Sequence, residues 1–259
     1  MNEKVAVVTG AARGIGLAIA QKFLAANYQV ALLDCATATL VQTTAALRGQ
    51  PALAVECDVS NPSQVQAAID RVAAHFGRLD ALVNNAGVAV FKPALETTFA
   101  DWSQIMATNL NGPFLCTQAC VPVMLKSGGG CVVNIASISG LRASTLRLAY
   151  GTSKAALMHL TKQQAVEYGN AGIRVNCVAP GPVETAMAAQ VHSADIRTSY
   201  RDAIPLARYG TTQEIAAAVA FLCSDAASYI NGQILAIDGG FGATGVGLPS
   251  LRDPRPSLH

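Results

Sequence analysis

The stretch VAVVTGAARGIG, residues 5–16, decides the fold, because an apolar run passes into a glycine-rich turn and then into a helical pattern. The apolar run predicts a buried strand, and the pattern over residues 15–26 predicts a helix. Gly10 allows a sharp turn, while Gly14 and Gly16 let the backbone and the helix approach a pyrophosphate closely. The spacing G-x-x-x-G-x-G is a variant of the dinucleotide-binding fingerprint, so the stretch predicts a phosphate site at the helix N-terminus.

The rest of the chain repeats this alternation of strands and helices. Further apolar runs predict strands at residues 28–34, 52–58, 81–87, 131–137, 173–180 and 233–240. Helical patterns are found at residues 37–48, after the start Ser60-Asn61-Pro62, and after the capping boxes Thr98-x-x-Asp101 and Thr211-x-x-Glu214. Strands that are almost entirely apolar are typical of a parallel sheet covered on both faces. We therefore predict an α/β fold, a Rossmann-type doubly wound seven-stranded parallel sheet with helices on both faces.

The pattern predicts a single domain over residues 1–240, because no linker or short repeat interrupts it. Residues 241–259 are rich in Gly and Pro, so we expect a C-terminal tail that is extended or disordered, or that packs on a neighbouring subunit. Residues 102–125 form an uncharged run after Asp101 that is long enough to span a bilayer, but its Asn, Gln, Gly and Pro residues indicate a buried helix of a soluble protein. The early Arg13 argues against a signal peptide.

The composition excludes several classes of function. The chain is 51% hydrophobic and only 13% charged, and because an average soluble domain has roughly 25% charged residues, we expect a homo-oligomer that buries further surface. A net charge of +2 without a basic cluster gives no reason to expect nucleic acid or membrane binding. Seven cysteines without a CxxC motif indicate reduced thiols and a cytoplasmic location. The four histidines lack metal-ligand spacing, so no metal is expected, although His192 could contact a substrate.

Asp34 ends the second predicted strand, 18 positions beyond Gly16. An acid roughly 20 residues after the glycine turn binds the ribose hydroxyls of NAD, and its charge repels the 2′-phosphate of NADP. Cys35 follows it, so no cation is in place for that phosphate, although Arg13 in the glycine turn could reach one. The sequence therefore favours NAD over NADP. Asp34 could also act as the N-cap of the following helix.

Tyr150 and Lys154 stand four residues apart in AYGTSKAALMHL, residues 149–160, so in a helix they share one face. The segments TGAARGIG, NNAG, NIASISG, YGTSK and APGPVET occur in the order and spacing of the classical short-chain dehydrogenase/reductase family. The resemblance extends over residues 4–240 and implies the fold that the strand pattern predicts. It also implies an enzyme, with a role for each matching residue.

The catalytic residues implied by this resemblance are Asn109, Ser137, Tyr150 and Lys154. Tyr150 would be the general acid/base, with its pKa lowered by the Lys154 ammonium and by an oxidised nicotinamide. Ser137, rather than the neighbouring Ser139, would hydrogen-bond the substrate oxygen and stabilise its developing charge. Lys154 would also bind the nicotinamide ribose.

The resemblance further implies how the proton leaves and how the cofactor is held. Asn109, rather than Asn111, would hold a water beside the lysine on a proton path to solvent. The expected cofactor contacts are Gly10, Arg13, Gly14, Ile15 and Gly16 at the pyrophosphate, Asp34 at the ribose, Asp58 and Val59 at the adenine, Asn85, Ala86 and Gly87 beside the adenosine ribose, Tyr150 and Lys154 near the nicotinamide, and Pro180, Gly181, Val183 and Thr185 at its carboxamide.

The reaction implied is reversible hydride transfer between a secondary alcohol and C4 of NAD. Substrate choice is expected to depend on residues 186–208, which show no aromatic cluster for a steroid. We predict an NAD-dependent oxidoreductase, a homotetramer, that interconverts a small polar secondary alcohol of the polyol or sugar type and its ketone. Arg142 and Arg147 lie between the serine and the tyrosine and could meet an anionic substrate, although we expect both to face solvent.

Two alternatives stay open at the sequence level. A 3-oxoacyl-thioester (ACP) reductase shares YGTSK and the GQ…DGG pattern, but it usually draws on NADPH, which Asp34 disfavours. A catalytically silent NAD(H)-binding sensor would keep the glycine turn, and the intact catalytic residues argue against it. Oxidation assays separate the three, because a sensor turns over no alcohol.

Overall fold

In the computed structural model, residues 3–245 are described, apart from the side chains of Met187 and Gln190. The strands are β1 (Val5–Thr9), β2 (Gln29–Asp34), β3 (Ala52–Glu56), β4 (Ala81–Asn84), β5 (Gly130–Ile135), β6 (Ile173–Pro180) and β7 (Ile234–Ile237). They form one sheet in the order β3-β2-β1-β4-β5-β6-β7, with every neighbouring pair parallel. The order reverses between β1 and β4, which opens a crevice at the carboxyl ends of these strands. The predicted doubly wound sheet is confirmed.

Helices connect the strands on both faces of the sheet. They are α1 (Gly14–Ala25), α2 (Thr37–Ala46), α3 (Pro62–Phe76), α4 (Phe99–Met106), α5 (Gly112–Lys126), α6 (Ile138–Leu141), α7 (Leu148–Tyr168), α8 (Ala186–Val191), α9 (Ala194–Ala203) and α10 (Thr212–Cys223). Both predicted capping boxes are present: the Thr98 and Thr211 hydroxyls accept from the backbone N–H groups of Asp101 and Glu214. These caps satisfy donors that the first helical turn leaves free.

The alternation of side chains along each strand divides the core into two layers. Ala6 and Val8 of β1 point to the face covered by α1 and α10, where Phe23 and Leu222 are fully buried. Val5 and Val7 point to the opposite face, which α3, α5 and α7 cover. Because both faces are buried, every β1 residue is apolar or has its polar atoms bonded, as the continuous apolar run predicts.

Four strands end earlier than the sequence predicts, β3 and β5 by two residues each and β4 and β7 by three each. For β4 and β7, hydrogen bonds of polar side chains give the reason. The run at residues 81–87 leaves the sheet after Asn84, because the Asn85 side chain turns back and donates to the carbonyl oxygens of Thr9 and Gly10. The last strand ends at Ile237, because the next residue, Asp238, accepts from the backbone N–H groups of two following glycines and closes a turn. Polar side chains that bond the backbone locally compete with the ladder in both places.

The uncharged run over residues 102–125 is helical, as predicted. A π-helical turn, Ala107–Asn111, joins α4 to α5 within it. Among the described residues, no helix combines the length and apolar character needed to cross a bilayer.

The predicted tail lies only partly within the described residues. Residues 241–244 turn back over the domain, where the Arg142 guanidinium donates to the carbonyl oxygens of Phe241 and Thr244 at 3.0 and 3.2 Å. The start of this segment therefore packs on its own chain, and residues 246–259 lie outside the described part.

Candidate active site

The glycine turn between β1 and α1 has the geometry that a phosphate group requires. Gly10 and Gly14 have φ angles of +62° and +59°, a region that other residues rarely adopt. A Cβ on Gly16 would lie 2.2 Å from the carbonyl oxygen of Gly10, so only glycine fits there. Arg13 is the N-cap residue of α1, no side chain caps the helix, and its first turn has no acidic residue. The free N–H groups at the N-terminus of α1 and the positive end of the helix dipole are thus available to an anion.

Two polar residues brace this turn against β4. The Thr9 hydroxyl accepts from the N–H groups of Asn85 and Ala86, both at 3.0 Å. The Asn85 amide donates to the carbonyl oxygens of Thr9 at 2.9 Å and Gly10 at 3.1 Å. The part of NNAG that the sequence analysis assigned to the cofactor therefore also holds the turn in shape. Sequence reasoning missed Thr9, whose signal is a hydroxyl residue directly before the first glycine.

Asp34 lies at the carboxyl end of β2, next to the glycine turn. One carboxylate oxygen accepts from the Ala12 N–H at 3.0 Å, and the other accepts from the Ala36 N–H at 2.9 Å. Each oxygen keeps acceptor capacity for a ligand hydroxyl. The suggestion that Asp34 is the N-cap of the next helix is wrong, because α2 begins at Thr37 with Ala36 as its N-cap and has no side-chain cap.

A cavity of about 440 Å³ follows the carboxyl ends of β1, β4, β5 and β6. It brings together most of the residues that the sequence assigned to the site: Gly10, Arg13, Gly14, Ile15, Asp34, Asn85, Ala86, Gly87, Ser137, Tyr150, Lys154, Pro180, Gly181, Val183 and Thr185. A cavity of this size is typical of small-molecule and cofactor sites.

Four assigned residues do not line this cavity: Gly16, Asp58, Val59 and Asn109. Gly16 is buried beneath the turn. Asp58 is exposed, and its carboxylate accepts from the backbone N–H and the hydroxyl of Ser60 at 2.9 and 2.7 Å. Val59 is buried and packs closely against Gly112, where an added Cβ would lie only 2.8 Å from the Val59 side chain. Asp58 and Val59 therefore do not form part of the cavity wall, and their expected contact with adenine stays a prediction. The Asp58 carboxylate instead stabilises the turn after β3.

The turn after β6 completes the cavity wall. The Gly181 N–H donates to the carbonyl oxygen of Ile237 at 2.9 Å, which ties this turn to β7. The Thr185 hydroxyl accepts from the Ala188 N–H at 3.1 Å and caps α8. These bonds fix the backbone of the segment that the sequence analysis placed at the nicotinamide carboxamide.

The two serines after β5 have different surroundings. Ser137 is the N-cap of α6; its hydroxyl accepts from the Ser139 N–H at 3.1 Å, and the side chain lines the cavity. The Ser139 hydroxyl instead contacts that of Ser144 and accepts from Arg147, each at 3.3 Å, and does not line the cavity. The structure therefore places Ser137, and not Ser139, beside the space available to a ligand.

Tyr150 lies in the first turn of α7 and is half-buried at the cavity. Burial raises the pKa of its phenol above the ordinary value. A hydrogen bond with the Ser137 hydroxyl and the charge of Arg147 both oppose this rise in pKa. The residues that favour the phenolate are thus the serine and an arginine to which the sequence analysis gave no such role.

Lys154 differs from the sequence expectation. Its Nζ lies 5.7 Å from the centroid of the Tyr150 ring and donates to the carbonyl oxygen of Ile135 at 2.8 Å. The side chain is only 4% exposed, and burial lowers the pKa of Lys154 to about 8. The expectation that its ammonium, together with a bound oxidised nicotinamide, lowers the pKa of Tyr150 stays a prediction.

Asn109 is fully buried in the π-helical turn and does not line the cavity. Its Oδ1 accepts from the Val88 N–H at 2.8 Å, and its Nδ2 donates to the Val88 carbonyl oxygen at 2.9 Å and to Ser153 at 3.1 Å. A Cβ on Gly87 would lie 3.4 Å from both Asn109 Oδ1 and Lys154 Nζ. Asn109 and Lys154 therefore both lie close to Gly87. The π-helical turn that carries Asn109 is a type of turn that is frequent at functional sites.

Aromatic side chains cluster around His192 and Tyr200, two residues that line the cavity, although residues 186–208 alone predicted no aromatic cluster. The Tyr200 ring centroid lies 5.2 Å from that of His192 and 6.0 Å from those of Tyr209 and Phe241. Phe91, which lines the same cavity, also escaped the sequence analysis. The cluster was not visible in one segment, because its members come from distant parts of the chain.

Comparison with known proteins agrees with this geometry. A family model described as enoyl-(acyl carrier protein) reductase matches residues 10–242. D-threitol dehydrogenase of Mycolicibacterium smegmatis is 42% identical, with 93% of this chain and 94% of that protein covered. A 3-oxoacyl-[acyl-carrier-protein] reductase of Aquifex aeolicus is 37% identical, with 93% and 98% covered.

Among solved structures, a gluconate 5-dehydrogenase from Burkholderia cenocepacia in complex with NADP and tartrate superposes with a TM-score of 0.90. It is 33% identical, and the match covers 95% of this chain and 97% of that one. Both the sequence and the architecture are thus shared over nearly the whole chain. The chain belongs to the classical short-chain dehydrogenase/reductase family.

This short-chain dehydrogenase/reductase is an oxidoreductase that acts on CH–OH groups, and its family binds NAD(P). The residues present fit such a dinucleotide. The uncapped N-terminus of α1 suits a pyrophosphate, Gly16 leaves room beside Gly10, and the Asp34 carboxylate can accept from ribose hydroxyls. Ser137 and Tyr150 line the same cavity as the glycine turn and Asp34.

Proposed function

We propose that this enzyme interconverts a small polar secondary alcohol, of the polyol or sugar type, and its ketone. The observation that carries the proposal is the convergence of Ser137, Tyr150 and Lys154 on one cavity whose other end holds Asp34. A relative named for threitol supports a polyol substrate. The substrate end also offers hydroxyl and imidazole groups from Tyr200 and His192, which suit a polar molecule.

Tyr150 is the general acid/base in this proposal. Its phenol takes the proton of the substrate hydroxyl in oxidation and returns it in reduction. Ser137, which already hydrogen-bonds this phenol, holds the substrate oxygen and stabilises the charge that develops on it. A bound nicotinamide supplies the hydride acceptor or donor.

Lys154 and Asn109 serve the proton path. With a pKa of about 8, Lys154 can exchange a proton near neutral pH. Its Nζ uses one donor on Ile135, which leaves two for a ribose hydroxyl and a water. Asn109, close to Nζ across Gly87, holds that water and so links the lysine to solvent.

We propose NAD as the preferred cofactor. Asp34 presents a carboxylate where a 2′-phosphate of NADP would bring negative charge, and Cys35 follows it in place of a cation. Arg13 is exposed at the turn, and a structural neighbour was crystallised with NADP. Measuring kcat/KM with each cofactor decides between them, and a preference for NADP would overturn this part of the proposal.

The main competing function is 3-oxoacyl-thioester reduction with NADPH. The Aquifex aeolicus relative favours it, although its identity of 37% is below the 42% of the threitol dehydrogenase. Reduction of an acetoacetyl thioester with NADPH, at a kcat/KM above that for every polyol and sugar ketone tested, would establish this alternative instead.

Tyr150→Phe tests the assigned chemistry. We expect turnover to fall by about 1,000-fold or more, because general acid–base catalysis contributes 10²–10⁴-fold and the variant has no exchangeable proton. NADH binding, followed by fluorescence, should stay within about twofold, since phenylalanine keeps the ring in place. A variant that retained a large share of the parental activity would show that Tyr150 is not the base.

Composition, exposed apolar residues and buried cysteines indicate how the protein assembles and where it is located. We propose a cytoplasmic homotetramer, on the grounds of the low charge content and of exposed apolar residues on α7 and α5, such as Val166 (79% exposed) and Phe114 (45%). Six of the seven cysteines are buried as free thiols, in keeping with a reducing compartment.

A further inference from the structure

Charge is distributed unevenly along the cavity. Among the described residues that line it, Asp34 is the single carboxylate, and it lies at the cofactor end. The substrate end carries Arg147 and Lys154. Nearby Arg197 is neutralised by two hydrogen bonds to Glu184, at 2.5 and 2.6 Å. Within residues 3–245, the substrate end therefore has positive charge that no acidic residue of the cavity wall balances.

Arg147 is the group that stands out at this end. The sequence analysis expected it to face solvent, but the side chain is half-buried and lines the cavity. Its guanidinium lies 4.9 Å from the centroid of the Phe91 ring. None of the ion pairs among the described residues involves it.

The hydrogen bonds of Arg147 are long and go only to neutral groups. It donates to the Ser139 hydroxyl at 3.3 Å and to the Tyr200 hydroxyl at 3.4 Å. Charge-assisted bonds to a carboxylate are normally 2.7–2.9 Å and about twice as strong. A guanidinium fixed by an aromatic face and two hydroxyls is thus oriented but lacks an anionic partner, and it is three residues from Tyr150.

We propose that Arg147 binds a carboxylate of the substrate, so that the physiological substrate is an acid of the polyol or sugar type and not a neutral polyol. The inference rests on the proposed function and narrows its substrate class. The guanidinium fork matches the two oxygens of a carboxylate. A secondary alcohol with a carboxylate a few bonds away places its hydroxyl at Ser137 and Tyr150 while the acid pairs with Arg147. The product of oxidation is the corresponding keto acid.

The test compares each acid with its primary amide, which has nearly the same shape without the charge. The main pair is gluconate with gluconamide. A second pair, 3-hydroxybutanoate with 3-hydroxybutanamide in both enantiomers, measures recognition of the carboxylate without the further hydroxyls. In the parent, we expect kcat/KM for the preferred acid to exceed that for its amide by about tenfold or more. Arg147→Gln should bring this ratio close to 1, a loss of about tenfold or more, and Arg147→Lys should give an intermediate value, because it keeps the charge but loses the fork.

Arg142→Gln is the matched control. Arg142 is exposed on the same loop, and its guanidinium is engaged by backbone carbonyls, so the ratio of acid to amide should stay within about twofold of the parent. NADH binding measured by fluorescence verifies that each variant is folded.

The outcomes separate the two levels of inference. If the parent oxidises neutral polyols with no preference for acids, or if Arg147→Gln weakens acid and amide equally, the carboxylate assignment is overturned and the proposed function survives. If the parent turns over neither acids nor polyols with NAD or NADP, the proposed function itself fails and this inference falls with it.

Discussion

Burial of a single side chain, the ammonium group of Lys154, changes the pKa of a group at the centre of this site. Lys154 is 4% exposed, donates to a backbone carbonyl oxygen and has a pKa lowered to about 8. A lysine with a pKa of about 8 is still mostly charged at pH 7, but it gives up its proton more readily than an ordinary lysine and can take part in proton transfer. The same desolvation costs stability, because the folded chain must hold the charged form at low pH.

Lys154→Met measures this cost. Between pH 8 and 10.5 the unfolded parent binds a proton at this lysine that the folded parent does not, so its free energy of unfolding rises with pH. From pH 7 to 9.5 the rise should be about 2 kcal/mol, at 1.36 kcal/mol per pH unit above 8. In the Met variant this contribution is absent.

Urea unfolding of parent and variant at both pH values gives the comparison. Contributions of other titrating groups cancel in the difference between the two proteins. The advantage of Lys154→Met over the parent should therefore shrink by about 2 kcal/mol as the pH rises from 7 to 9.5. An unchanged difference would mean that Lys154 stays fully charged in the folded state.

The buried cysteines illustrate the opposite case, in which burial makes a titratable side chain unreactive. Cys116 and Cys120 share one face of α5, and both are fully buried free thiols. Burial raises the pKa of each thiol, so neither is a reactive thiolate. Their spacing reflects packing in the core layer between α3 and the sheet.

At the scale of elements, the β1–turn–α1 unit is the most constrained part of the chain. The first strand is buried on both faces, the turn needs two left-handed glycines, and the helix start has no room for a Cβ at Gly16. Sequence patterns reveal such units well, because each constraint is local and leaves its own residue type.

Gly16→Ala tests the close approach within this unit. The added Cβ would meet the Gly10 carbonyl oxygen at 2.2 Å, so the turn must open. We expect a loss of about 2 kcal/mol or more in the free energy of unfolding, and KM for NAD should rise by about tenfold or more as the phosphate site deforms.

Gly210→Ala is the matched control, since its φ is ordinary and a Cβ there meets nothing nearer than 3.7 Å. This variant should keep both stability and KM close to the parental values. If both glycine variants behaved alike, the predicted clash at Gly16 would not govern the turn.

The helix N-termini show which caps can be predicted from neighbouring residues in the sequence and which cannot. The boxes at Thr98 and Thr211 were predicted from four residues each and are present. Asp34 looked like a further cap, but its carboxylate bonds the Ala12 N–H across the turn and the Ala36 N–H ahead of the helix. The difference arises because only the folded sheet brings the glycine turn beside the end of β2.

At the scale of the whole molecule, several large apolar side chains lie on the surface. Val166 on α7 is 79% exposed, and Phe114 on α5 is 45% exposed. Both helices cover the same face of the sheet. A second copy of the chain that packed on this face would remove these residues from water, in keeping with the proposed tetramer.

Val166→Glu should disrupt that assembly, because it places a charge in an apolar contact. Light scattering coupled to size exclusion is expected to give about four times the chain mass of 26.7 kDa for the parent and a smaller mass for the variant. Val41→Glu, on α2, alters a valine that is 61% exposed, and we expect it to remain tetrameric. A monomeric parent would contradict the proposed tetramer, and a tetrameric Val166→Glu would place the contact elsewhere.

The fold class, the seven strands, the glycine turn and the capping boxes could be predicted from the sequence alone, because they depend on residue type and spacing along a short length of chain. Ser137 and Tyr150 became candidates through the resemblance of their motifs to the family. The folded chain was needed to show that Arg147 lines the cavity, that Lys154 donates to Ile135, and that Asp58 and Val59 do not line the cavity. It was also needed to show that Phe91 and Tyr200 line the cavity together, with Phe241 packed against Tyr200. Each of these depends on burial and on contacts between residues far apart in sequence, and the charge and orientation of a side chain in a cavity are set by all the elements that enclose it.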